Sequence, residues 1–214
     1  MMRENVMRTV RSASSAVRSR FGSFRVDTRG TAAIEFAQLA PVLLLMLLAT
    51  IELGRAINVD RHFTTATAMT GDLVAREEYL GTSTSDALAN LNGMMASIGQ
   101  IMQPYDASLL QLSVISVRAS PTNAADTKVE WTYSYHQKAV PSKCQAYSLP
   151  SGLIDKGGSV IVVESTYIYK PLFAGFTPGI PSDLTWNDKS FHSPRVNSCV
   201  DYVKPSGNSC ISSC

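Results

Sequence analysis

The run from Thr31 to Ile51 constrains this chain more than any other stretch, because almost every residue in it is apolar and it begins directly after a basic, polar leader. At about 1.5 Å of rise per residue, a helix over 31–51 spans roughly 31 Å, the thickness of a bilayer's hydrocarbon core. The block Leu43-Leu44-Leu45-Met46-Leu47-Leu48 is apolar on every side, so a helix built from it needs either a protein core all round or lipid. Pro41 removes one backbone donor inside the run, which predicts a slight kink rather than a break. One carboxylate, Glu35, lies five residues past Gly30. A charge at that depth costs about 2.5–3.5 kcal/mol on insertion scales, so Glu35 is expected to be paired, processed or functional.

The net charge of +2 conceals an asymmetry. Residues 1–30 carry Arg3, Arg8, Arg11, Arg18, Arg20, Arg25 and Arg29 against Glu4 and Asp27, whereas acids outnumber bases in the remainder. Basic residues flanking an apolar segment stay on the cytoplasmic side. The expected organisation is therefore a cytoplasmic leader over 1–30, a transmembrane helix over 31–51 and an exterior domain over 52–214. An Arg- and Ser-rich leader also fits a nucleic-acid-binding arm or an organellar transit peptide, but neither explains an apolar run that follows at once. A cleaved secretory signal is disfavoured because Glu35 and Gln38 interrupt its apolar region and no small-x-small site follows Leu48.

All four cysteines, Cys144, Cys199, Cys210 and Cys214, lie in the second half of the chain. An even count confined to the expected exterior predicts two disulfides in an oxidising compartment, with three pairings open. Zinc is the competing use, but the spacings contain no Cys-x-x-Cys pair and His192 is the one histidine near them.

Past Glu52 and Arg55 the helical period continues. Ala56, Val59, Phe63, Ala66, Thr70 and Leu73 form one face, and Asp60, Arg61, Thr64 and Thr67 the other. This predicts a helix that runs on to about Glu78 as an amphipathic stem. The small side chains of Thr64–Thr70 allow another element to approach closely, and Gly71 is a weak point of about 1 kcal/mol relative to Ala. The loop Gly81–Ser85 offers serine caps to a second helix ending near Met102, with Leu88, Leu91, Met95, Ile98 and Met102 on one stripe. Beyond Pro104 the period becomes two. Leu110–Val117, Val129–His136 and Ser159–Tyr169 read as strands of an antiparallel sheet with one wet face. Tyr133, Tyr135, Tyr167 and Tyr169 are expected to pack within it. After Lys170 the prolines and glycines predict an irregular tail held by disulfides. The expected class is α+β: a long N-terminal helix, a second helix, an antiparallel sheet and a disulfide-bearing tail.

Three strings carry a family resemblance: Arg29-Gly30-Thr31-Ala32-Ala33-Ile34-Glu35-Phe36-Ala37, Leu39-Ala40-Pro41-Val42-Leu43-Leu44-Leu45, and Ile51-Glu52-Leu53-Gly54-Arg55. Together they resemble the TadE-like proteins, pseudopilin-type components of the bacterial tight-adherence (Flp) pilus, over roughly Arg29 to Arg76. Thr31 departs from the bulky apolar residue that often follows the cleaved glycine in prepilin substrates. The resemblance implies a pilin-like layout and a place in the bacterial inner membrane. Its implied partners are other pilus subunits, secretion-machinery components and a prepilin peptidase, with no nucleic acid. It also implies a role for the junction: cleavage after Gly30 would leave a Thr31 ammonium able to pair with Glu35 of its own or a neighbouring subunit. The plainer reading has Glu35 snorkelling toward water from one turn's depth.

No nucleophile motif, phosphate loop or dinucleotide fingerprint occurs, and His62, His136 and His192 are scattered. A non-catalytic protein without a cofactor is expected, either a minor pilin or an assembly component of the pilus. The alternative is an uncleaved, membrane-anchored exterior binding or scaffold domain.

Overall fold

The computed structural model describes residues 30–174, 181–212 and 214. The arginine-rich part of the leader lies outside them. The chain divides into two units, Met1–Ile51 and Glu52–Cys214.

Helix α1 spans Thr31–Ala75 and passes through Pro41 without interruption. Over 31–51 no residue is buried. From Val59 onward one stripe is buried: Val59, Phe63, Ala66, Thr67, Thr70, Gly71, Val74 and Ala75. The three-four spacing is the one the sequence predicts, with one correction. Thr67, assigned by period to the outer face, is fully buried, because its hydroxyl donates to the Phe63 carbonyl at 3.0 Å and meets Ser165 Oγ at 2.6 Å. A threonine can enter a core where each lone pair and proton finds a partner. The helix ends at Ala75, three residues short of expectation, and tightened bonds from Arg76 N and Glu77 N to Leu73 O and Val74 O close it.

Helix α2 spans Thr84–Ile101. Ser83 caps it by accepting from Asp86 N, while the Asp86 carboxylate accepts from Thr82 N at 2.8 Å and Thr82 Oγ1 at 3.0 Å. Backbone and side-chain bonds from Thr82 hold the Asp86 carboxyl below its ordinary range. Leu91, Met95, Ile98 and Met102 are buried as expected. Leu88 is exposed instead, and Ala87 takes its place in the core.

Four antiparallel strands follow: β1 (Leu110–Ala119), β2 (Thr127–Tyr135), β3 (Ser159–Tyr169) and β4 (Leu184–His192), ordered β2-β1-β3-β4. β4 lies inside the stretch expected to be irregular. Its alternation is concealed because Asp188 and Ser190 occupy places where apolar residues would mark a strand. Ser190 Oγ instead donates to Thr67 O, at 3.4 Å.

One sheet face presents Leu110, Leu112, Val114, Trp131, Tyr133, Ile161, Val163, Tyr167 and Tyr169 to Val59, Phe63, Leu91, Met95 and Ile98. The other face is not simply wet. Ile115, Val117, Val129, Val160 and Val162 form a second cluster, covered by Tyr147, Leu149, Ile154 and Phe191. The long β2–β3 connection supplies three of those covers, which explains its length.

The tail is tied by backbone pairing and by bridges. Arg195 N, Asp201 N, Leu80 N and Lys204 N bond to Ala75 O, Glu78 O, Asp201 O and Gly81 O at 2.8–3.1 Å. The disulfides are Cys144–Cys214 and Cys199–Cys210. The short loop after α1 and the tail thus satisfy each other's main-chain groups, a task neither could perform alone.

Candidate functional site

Gly30 directly precedes α1, and Thr31 is its first residue. Glu35 follows one turn later, so Thr31 and Glu35 share a helix face. Both are exposed. A Cβ added at Gly30 would meet nothing within 4 Å. Packing among the described residues therefore does not require glycine there, in contrast to Gly71, where an added Cβ would lie 2.1 Å from His192 Cδ2. Gly71 is not a mere weak point in the helix. It is the gap that admits the His192 ring between α1 and β4.

The side chains of the apolar half of α1 are almost all exposed. Phe36 is 65% exposed, Leu39 61% and Met46 66%, and Leu43, Leu44 and Leu45 are comparable. This helix is long and apolar enough to cross a membrane.

At Glu52 the surroundings change within one turn. The Glu52 carboxylate accepts from Tyr169 Oη and from Leu172 N, and stands 3.9 Å from Arg55 Nη1. Arg55 donates to Lys170 O at 2.9 Å and lies 5.4 Å from the centroid of the Tyr169 ring. The expected helix pair exists, and it also clamps the end of β3. Burial, together with the bond to Glu52, pushes the Tyr169 hydroxyl up to about 12.

The four strand tyrosines take the packing role expected of them: Tyr133, Tyr167 and Tyr169 are buried and Tyr135 packs beside them. The histidines do not converge. His62 Nδ1 meets Ile101 O and its ring meets Tyr105, His136 Nδ1 meets Leu110 O, and His192 lies against Gly71 with Nε2 buried and unpaired. Cys199, Asp201 and Cys210 cluster closely enough to hold a metal. However, the two sulfurs are bonded to each other, so neither is a thiolate able to ligate zinc.

A feature that sequence reading missed is a cavity of about 570 Å³ between the β1–β2 end of the sheet and the Cys199–Cys210 loop. Along its core-facing side β1 runs Leu110, Leu112, Val114, Ser116, Arg118, from apolar to polar. Arginine at the end of an alternating strand was the available signal.

A helix long and apolar enough to cross a membrane is thus joined in sequence to a small disulfide-bonded α+β unit. Residues 30–72 match the family model described as TadE-like protein, about a fifth of the chain. No curated protein and no solved structure matches it. The family match starts at Gly30 and ends within α1, so it is carried by the helix; the sheet and tail lie outside it.

Proposed function

We propose that the chain is a non-catalytic minor pilin, or an assembly component, of the tight-adherence (Flp) pilus. In this reading residues 31–51 anchor it in the bacterial inner membrane, the leader 1–30 is cytoplasmic and 52–214 lies in the periplasm or within the pilus. The observation that carries this is the coincidence of the TadE-like match with a helix whose first half is unburied on every side. A lone apolar helix is stable in lipid or against neighbouring helices, and a pilus subunit needs both in turn.

The junction supplies the assembly step. A prepilin peptidase cuts after Gly30, and the new Thr31 ammonium pairs with the carboxylate of Glu35, on its own or a neighbouring subunit. An intramembrane carboxylate is stabilised by a cation, and cleavage creates one a turn away. Intact-mass measurement of the mature protein in cells with active pilus machinery tests this. The wild type should lack residues 1–30, and Gly30→Val should retain them. Since Gly30 is uncrowded, that retention would report recognition and not misfolding. Glu35→Ala should still be cut, yet fail to co-purify with pilus components, because a buried ammonium without its partner costs several kcal/mol, to order of magnitude. A wild-type protein that keeps its leader in such cells overturns the cleavage step and leaves the uncleaved anchor. A reporter active only outside the cytoplasm should work after Cys214 and fail at Arg25; the reverse overturns the orientation.

A further inference from the structure

The cavity beside Arg118 has no place in the assembly role. Arg118 is 7% exposed, and Nη1 donates to Cys210 O at 2.6 Å, while Nε has no partner. Cys210 has φ 65°, a left-handed backbone that a non-glycine residue rarely adopts. No carboxylate pairs with Arg118 among the described residues. Burying an unpaired guanidinium is costly, which makes it the most unusual charge in this unit.

The acids on the same wall are already engaged. Asp201 accepts from Cys210 N at 3.1 Å, and Glu130 accepts from Ser212. Lys143, at the rim, is exposed. The positive groups are therefore the ones left to receive a ligand, which calls for an anion. The size, about 570 Å³, suits a small molecule. The remaining lining decides which kind. Trp131 and Tyr202, with ring centroids 5.7 Å apart, offer an aromatic wall, and Ser116 and Thr132 add hydroxyls. Aromatic faces beside hydroxyl and carboxylate groups fit a ring that is apolar on its C–H face and rich in hydroxyls at its edge.

We propose that this cavity binds an acidic saccharide, with its carboxylate held by Arg118 and Lys143 and its ring against Trp131 and Tyr202. Arg118, held in place by its Nη1 bond to Cys210 O, supplies a fixed positive charge for the carboxylate, and Lys143 adds charge at the entrance.

Calorimetry on the full-length protein in detergent micelles, with trigalacturonic acid as the probe, tests this. Saturable binding is expected, at least tenfold weaker for the fully methyl-esterified trisaccharide. Lys143→Glu, at an exposed position, should weaken binding at least tenfold with an unchanged melting temperature. Arg118→Lys should do the same, because a lysine cannot keep both the Cys210 O bond and a charge at that place. If that variant fails to fold, the Lys143→Glu result decides alone. Absence of saturable binding, equal affinity for acid and ester, or full affinity in Lys143→Glu overturns the proposal. Equal affinity for an aromatic tripeptide with a free carboxylate overturns the assignment to a saccharide.

Discussion

The two halves of α1 obey the same helical geometry and meet opposite surroundings. Over 31–51 apolar side chains are exposed on all sides, whereas from Val59 to Ala75 one stripe of apolar and small residues is buried. Phe36 at 65% exposure and Phe63 at 1% are the same residue type on one helix. Propensity cannot account for that contrast. The medium each half requires does: lipid or neighbouring helices for the first, its own sheet for the second.

The most severe break of this contrast is truncation of the two regions' apolar residues in parallel. Phe63→Ala should destabilise the unit Glu52–Cys214 by about 3–5 kcal/mol, while Leu44→Ala should leave it within about 0.5 kcal/mol of wild type. Urea unfolding in detergent, followed by the fluorescence of Trp131 and Trp186, reads both; equal effects would erase the distinction. Bridge removal comes next. Cys144→Ser with Cys214→Ser should cost about 2–5 kcal/mol, and about 1.6 kcal/mol more than loss of the Cys199–Cys210 bridge, since the separations are 70 and 11 residues. The same unfolding curves measure it. The glycines give a smaller, sharper comparison. Gly71→Ala should cost about 1–3 kcal/mol through the forced contact with His192, and Gly30→Ala should not change the unfolding midpoint.

The smallest effects are those of pH. Burial pushes the hydroxyls of Tyr133 and Tyr169 up to about 12. Their contribution is thus fully present below pH 10 and is lost as pH rises through about 12. Burial lowers the pKa of His192 from 6.5 despite Asp72 nearby, so its contribution is present above pH 6.5 and is lost as pH falls below it. The melting temperature should decline on both limbs. Tyr133→Phe should make the alkaline limb shallower and Tyr133→Phe with Tyr169→Phe should flatten it, and a steep alkaline limb in the double variant would contradict the assignment.

Much of this layout was legible because hydrophobic period survives where burial is simple. The membrane-length run, the stem stripe through Val59 and Phe63, the Ser83 cap region and the first three strands all announce themselves in this way. Period failed where polar groups pair inside. Thr67, Ser165 and Ser190 join α1 to β3 and β4 through hydroxyls, and that interface hid both the burial of Thr67 and the existence of β4. The cysteine pairing depends on where distant segments meet, and no spacing encodes it. The Arg118 cavity arises from the tail folding over the sheet end, a tertiary event that local pattern does not register. The junction of Gly30, Thr31 and Glu35, by contrast, was visible only as a motif; its geometry adds the absence of crowding at Gly30.

The contact between Gly71 and His192 has a consequence for the history of such sequences. The two positions are 121 residues apart in the chain and occupy one shared volume. A side chain can be gained at position 71 only if the ring at 192 is reduced or turned away, so neither site can drift alone. Among relatives that keep this sheet, the pair should therefore covary: glycine with a ring, or a larger residue with a small one.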